Sequence, residues 1–200
     1  MKYEWKKQEK ELYDAKTTPA VVAVPAQNYL MIGGEGNPND ADFSNRVSAL
    51  YSVAYAVKMA YKKAAQKEID DFAVYPLEGV WQKLEGDKLI KENLRYTLMI
   101  RQPNFVGKDS VNAALAQTKT KKLNPLLEEI HFAAVPGKTC VQVLHIGAYD
   151  DEPASFAKMD EFARSLDLTR AETSHREIYL SNANRTEKSR LKTILQYAVK

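Results

Sequence analysis

The sequence predicts an α+β fold of two tandem strand–helix–strand–strand repeats, related by a pseudo-twofold around a central ligand cleft. Three observations predict it. Short valine-rich runs broken by proline read as strands. Two amphipathic stripes with 3–4 residue steps read as helices. The order strand, helix, strand, strand then occurs twice, offset by about 100 residues.

In chain order, Lys2 to Thr18 is charged and reads as an arm or a short helical lead-in. Ala20–Val24 and Tyr29–Ile32 are strand runs separated by Pro25, and Gly33–Asp40 has loop composition. Over 43–64, Phe43, Val47, Leu50, Ala54, Val57 and Tyr61 form one helical stripe, with Asp42 in an N-cap position. Phe72–Tyr75 and Leu94–Ile100 read as strands. A polar connection over Gln82–Asn93 lies between them, and Pro76–Val80 reads as a turn. Lys108–Ile130 holds two weaker helical patterns, the second begun by Asn124-Pro125, with Lys119, Lys121 and Lys122 as a solvated helix end between them. Thr139–Ile146 is a strand. Phe156, Met159, Ala163 and Leu166 form a helix face behind Pro153, and Glu177–Leu180 and Leu191–Val199 are strands. The expected organisation is one domain over 1–200: repeat one at about 19–104, a helical connection at about 105–135 and repeat two at about 138–200. One repeat alone buries too little apolar surface, and two share a core and leave a cleft at their junction.

Composition narrows the function. The 200 residues are 44% hydrophobic and 28% charged, the balance of a soluble globule. A net charge of +3 is too small for a nucleic-acid footprint. Cys140 is the single cysteine, which excludes an internal disulfide or a multi-thiolate metal centre. His131, His145 and His175 offer little for a histidine-rich one, so no metal and no cofactor is expected. No apolar run approaches a membrane span, and the first residues lack an apolar signal core. The expectation is a reduced, cytoplasmic protein. Gly33-Gly34-Glu35-Gly36 lacks the spacing of a phosphate or dinucleotide loop.

The aromatics are more informative, with 11 Tyr, 6 Phe and 2 Trp. Tyr75 and Trp81 flank the Pro76–Val80 stretch, and Tyr149 stands at a strand-to-helix turn. Glu177 and Tyr179 share one face of a strand, opposite Ile178 and Leu180. That face turns either to solvent, as an ordinary antiparallel strand does, or to the cleft, where a carboxylate among aromatics suits planar, often cationic ligands. Glu78 has the same two readings, exposed in a turn or in a pocket. His145 reads as a core or edge histidine, and Cys140 as an inert small hydrophobe.

Four segments carry a resemblance: Tyr75–Trp81, Met99–Phe105, His145–Pro153 and His175–Ser181, with Lys2–Tyr13 as a stand-alone opening. Together they resemble GyrI-like small-molecule-binding proteins over essentially the whole chain. The resemblance implies two strand–helix–strand–strand repeats that bind drug-like aromatic cations between them. Transcription-factor members add a DNA-binding helix-turn-helix, for which there is no room before Val21. The implied function is therefore a free-standing binder or enzyme. Some stand-alone members are cyclopropanoid cyclopropyl hydrolases, which open the cyclopropane of DNA-alkylating compounds with water. By resemblance Glu177 and Tyr149 are the catalytic candidates, with Trp81, Tyr55, Tyr75, Glu78, Tyr179 and Tyr197 lining the ligand. Relatives often carry a second aromatic after the tryptophan of the "PLEGxW" motif, where this chain has Gln82. The expected partner is a small aromatic ligand, with no nucleic acid, no membrane and a possible homodimer. The alternatives are non-catalytic sequestration and an interaction with gyrase.

Overall fold

The structure, a computed structural model, describes residues 1–64, 68–83 and 91–200. The expected connection over 82–93 lies largely outside the described residues. Eight strands form one antiparallel sheet. They are β2 (Ala20–Val24), β3 (Gln27–Glu35), β5 (Leu77–Lys83), β6 (Leu94–Gln102), β7 (His131–Val135), β8 (Lys138–Ile146), β9 (His175–Tyr179) and β10 (Lys192–Ala198). Their spatial order is β2-β8-β10-β9-β5-β6-β3-β7. A short parallel pair, β1 (Lys2–Tyr3) and β4 (Asp71–Phe72), lies apart from it. The helices are α1 (Trp5–Gln8), α2 (Lys10–Tyr13), α3 (Ala41–Lys63), α4 (Lys108–Lys121), α5 (Leu126–Glu129) and α6 (Glu152–Ser165). No helix among the described residues is long and apolar enough to cross a membrane.

The strand–helix–strand–strand order occurs as β3-α3-β5-β6 and as β8-α6-β9-β10. The halves match in strand order alone: α3 has 23 residues and α6 has 14, and α4 and α5 have no counterpart after β10. The leading strands are exchanged. β2 precedes β3 but pairs with β8, and β7 precedes β8 but pairs with β3. Two-residue links, Pro25-Ala26 and Pro136-Gly137, make these transfers. Such a link spans at most about 11 Å, so the sheet must curl until its ends approach. The links touch: a Cβ on Gly137 would sit 2.9 Å from the Val24 carbonyl oxygen.

Several expectations are corrected here. The stretch expected to be a helical connection ends in strand β7, which pairs along the edge of β3. Gly33 and Gly34 extend β3, and Gly34 lies under the Tyr96 ring, where a side chain would not fit. Asp40 takes the N-cap position of α3, while Asp42 falls in the first turn and accepts from Arg46 Nε at 2.7 Å. Of the 72–75 run only Phe72 pairs as strand, together with Asp71 before it. Leu77–Val80 of the Pro76–Val80 stretch begins β5 and is no turn, because it pairs with β6 and, from Glu78 on, with β9 as well. The charged opening is tied down by two aromatics: Trp5 and Tyr13 are buried, and Trp5 Nε1 donates to the Val74 carbonyl at 3.1 Å.

Alternation along the strands gives the sheet two faces. On the front, Leu30, Ile32, Leu98 and Ile100 share a core with Leu50 and Val53 of α3. Val141, Val143 and Leu195 form a second core with Met159 and Ala163 of α6. The back is unusually polar for a buried surface: Gln27, Tyr29, Glu78, Arg101, Gln142 and Gln196 are all buried. Glu78 is completely enclosed, and Arg176 Nη2 lies 2.7 Å from its Oε2. Arg176 also donates to Tyr29 and Gln196. Removing one member of a buried pair strands the other's charge. Glu78→Gln is therefore expected to cost about 3–5 kcal/mol. Urea unfolding checks this, and a loss below about 1 kcal/mol would show that Arg176 finds another counter-charge.

Candidate functional site

The two middle strands, β5 and β9, are each one half's contribution to the sheet's centre, and they pair antiparallel. The register sets Gly79 opposite Glu177 and Trp81 opposite His175. α3 packs on β3 and β6, and α6 packs on β8, so this central front surface lies between the two helices. Trp81, His175, Glu177 and Tyr179 all point to it. The cleft-facing reading of Glu177 is the one the structure adopts, with the residue 8% exposed.

A directional chain of hydrogen bonds runs across this surface. Trp81 Nε1 donates to the Tyr179 hydroxyl at 2.9 Å, and that hydroxyl donates to Glu177 Oε2 at 2.7 Å. His175 Nε2 lies 2.9 Å from Glu177 Oε1 and donates to it. A third group completes the convergence: the Glu152 side chain, from the first turn of α6, hydrogen-bonds Glu177. Glu152 is buried, and its Oε1 has no partner among the described residues. Burial first, then the charge and hydrogen bond of Glu177, pushes the Glu152 carboxyl up to about 9. Glu152 thus holds a proton at neutral pH and shares it with Glu177, as close carboxyl pairs do. Burial and the Glu177 charge also raise the hydroxyls of Tyr149 and Tyr179.

Rings enclose the group. Phe43 of α3 stacks on Trp81 with centroids 5.8 Å apart and planes at 22°. Tyr96 touches both rings. Tyr149 stands edge-on to Tyr179 at 5.9 Å, and Phe156 edge-on to His175 at 4.7 Å. Tyr149 is 40% exposed and its hydroxyl has no hydrogen bond among the described residues, so it is free to meet a ligand.

Of the residues singled out from sequence, Glu177, Tyr149, Trp81 and Tyr179 are brought together. Tyr55 is not in contact with them. It continues the Phe43–Val47–Tyr51 stripe of α3, is mostly exposed, and touches Tyr51. Tyr197 packs in the second core with the Arg170 guanidinium 4.0 Å over its ring. Tyr75 stacks on Trp5 and donates to Glu9, on the side of the N-terminal segment. Glu78, one residue before Gly79, necessarily points to the back. Sequence reading missed Glu152, His175, Phe43 and Phe156. A signal existed for His175, since it shares the parity of Glu177 and Tyr179. Glu152 showed only as one of three consecutive acids before a proline.

The fold and site define a class: a small-molecule-binding α+β domain whose centre is an aromatic and carboxyl surface. Residues 17–200 match the GyrI-like small-molecule-binding domain, and the chain belongs to that family. It is similar to an uncharacterised conserved protein of Listeria innocua, with 31% identity, a TM-score of 0.90, and 99% and 100% of the two chains covered. It is also similar to a Listeria innocua hydrolase, with 30% identity, a TM-score of 0.87 and both chains fully covered. The EcmrR C-terminal domain shares the fold alone, at 16% identity and a TM-score of 0.56, with 92% and 97% covered. No curated protein matches the sequence at a significant level.

Gly79 tests the geometry. A Cβ there would come within 2.7 Å of Trp81 Nε1 and 3.1 Å of the Tyr179 hydroxyl. Gly79→Ala is expected to break the Trp81–Tyr179 hydrogen bond at a cost of about 1–3 kcal/mol. The indole N–H resonance of Trp81 should move upfield in the ¹H–¹⁵N spectrum, and an unmoved resonance would contradict the contact.

Proposed function

We propose that this chain binds planar aromatic xenobiotics, cations among them, between α3 and α6, and hydrolyses the cyclopropane of DNA-alkylating cyclopropanoid compounds. The observation that carries the reading is the Trp81–Tyr179–Glu177–Glu152 cluster: a carboxyl pair partly withdrawn from water and walled by stackable rings. The full-length likeness to a hydrolase at 30% identity supports the enzymatic half.

Recognition comes first. Trp81, Phe43 and Tyr149 offer faces and edges for stacking, each aromatic contact contributing about 0.5–1.5 kcal/mol beyond area burial. Glu177 supplies negative charge for a cation, and the surrounding rings add cation–π attraction. In the cyclopropanoid substrate the strained ring is conjugated to a dienone. Water attacks a ring carbon, a C–O bond forms, and the cyclopropane C–C bond breaks. Its electron pair moves through the conjugated system to the carbonyl oxygen, which becomes a phenolate. Glu177 orients the water and takes its proton. The free hydroxyl of Tyr149 donates to the developing phenolate, and the Glu152–Glu177 pair returns the proton to give the phenol. Atoms and charge balance without a cofactor. Stacking holds the planar body in place while this happens.

A second reading has one specific observation in its favour. Both Glu177 oxygens and the Tyr179 hydroxyl are already held by internal partners, which suits an anionic anchor better than a base. On that reading the chain sequesters its ligand unchanged. Turnover of a duocarmycin-type cyclopropane, followed by liquid chromatography and mass spectrometry, separates the two. Hydrated product is expected, with Glu177→Gln slowing its formation by about 10²-fold or more and Trp81→Ala removing it. Full turnover in Glu177→Gln would exclude Glu177 from the mechanism. Quenching of tryptophan emission without product would leave binding alone.

The shared proton makes a separate prediction. A permanently charged cation such as N-methylquinolinium favours the doubly ionised pair, so it must displace the proton held on Glu152. Its affinity is expected to rise as pH increases and to level off above the raised Glu152 value of about 9. Glu152→Gln should flatten that rise. His175, Tyr149 and Asp150 face the pair as well. Calorimetric titration across the range checks it, and a flat profile in the unaltered protein would show that the pair holds no proton.

A further inference from the structure

The back of the sheet holds a cavity of about 220 Å³ whose lining shares only His175 with the front cluster. It lies where the exchanged links cross, with Pro25 and Pro136 in its wall. Val80, Met31, Met99 and Cys140 line it, all on the face opposite Glu177, together with Gln27 and Arg176. We propose that this cavity is a second small-molecule site, selective for neutral, mostly apolar molecules of bicyclic size that carry one hydrogen-bond acceptor.

Size sets the upper and lower limits. A dry apolar cavity on the order of 150 Å³ takes a benzene ring, so this one takes a fused pair of rings. Two methionines in the wall give it adaptable, polarisable surface. Charge sets the selectivity. The lining cations already have counter-charges, Arg176 in Glu78 and Lys138 in Glu172. The cavity therefore offers no net charge, in contrast to the acidic front. One polar opportunity remains: Arg176 Nε is buried and has no hydrogen-bond partner among the described residues. A carbonyl oxygen on the ligand would satisfy it, and a buried donor left without a partner is costly. An anion would gain little, since Glu78 sits against the same guanidinium.

Cys140 is the single cysteine of the chain and forms part of the wall, so its modification reports on this cavity alone. The experiment follows the reaction of the intact protein with methyl methanethiosulfonate by mass spectrometry, in the presence of coumarin, naphthalene, 2-naphthoate or N-methylquinolinium. Coumarin at roughly five times its Kd is expected to slow modification about fivefold or more. Naphthalene, lacking the acceptor, should need a higher concentration, and the two ions should give no protection. In parallel, coumarin should shift the methyl resonances of Met31 and Met99. Val80→Trp, which fills the cavity, should abolish both effects while N-methylquinolinium still binds at the front. Protection by the cation equal to that by coumarin would overturn the proposal. So would unmoved Met31 and Met99 resonances at saturating coumarin. Neither result depends on whether the front cluster is catalytic.

Discussion

Four residue pairs between β5 and β9 hold the two halves of the sheet together, and their register decides everything around them. It sets Gly79 against Glu177 and Glu78 against Ile178. A slip by one residue would send every side chain of a strand to the opposite face. Glu177 would then lose Tyr179, Trp81 and Glu152, and Glu78 would be driven between the helices without Arg176. The register is fixed from both sides by burial. Ile178 is 4% exposed on the back, and the absent side chain of Gly79 is what admits the Trp81 indole on the front.

The same register gives two neighbouring carboxylates opposite fates. Glu78 is enclosed with a guanidinium against it, so its charge is spent inside the fold. Glu177 receives neutral or titratable donors, Tyr179, His175 and Glu152, and among the described residues no arginine or lysine. Its charge is oriented but not cancelled. Withdrawal from water strengthens what that charge does to a ligand, because the local dielectric is lower than that of bulk solvent. A buried ion pair of the Glu78 kind contributes little net stability, yet breaking it is costly. Its consequence here is specificity of facing: a strand with Glu78 turned the other way has no partner for it.

Local pattern made much of this legible. The helical stripes of α3 and α6, the alternation in β9 and the twice-repeated element order all follow from periodicity, which depends on neighbours in sequence. So does the shared face of Glu177 and Tyr179. What stayed hidden depends on pairing. The Pro76–Val80 stretch looks like a turn because proline and glycine bracket an acid, but β6 and β9 on either side hold it extended. Glu78 carries two readings in the sequence, exposed in a turn or in a pocket, because glutamate is rarely buried, and only the sheet brings Arg176 to it. Tyr75 and Tyr197 looked like pocket aromatics because a tyrosine carries the same chemistry in a core as in a cleft. Glu152 could not be distinguished from Asp150 and Asp151 until α6 turned it towards Glu177. The exchange of β2 and β7 left no mark in the sequence beyond two short proline-bearing links.

A sheet curled by exchanged strands has an inner surface that must be filled or covered, and this chain does it with material beyond the family match. Residues 1–16 precede the matched region, yet they bury Trp5 and Tyr13, and they supply Glu9. That one carboxylate accepts from Tyr3, Tyr75 and Arg101, so it answers a cation the back of the sheet would otherwise leave buried. The N-terminal segment therefore seals one part of the polar back and compensates its charge. The remaining part, under the crossed links, is lined by flexible methionines and by an arginine already paired. Charge neutrality there is built from within the sheet, and the empty volume follows from the curl itself. The front and back of one strand pair thus present opposite chemistries, an uncancelled carboxyl among rings on one side and a neutral apolar cavity on the other.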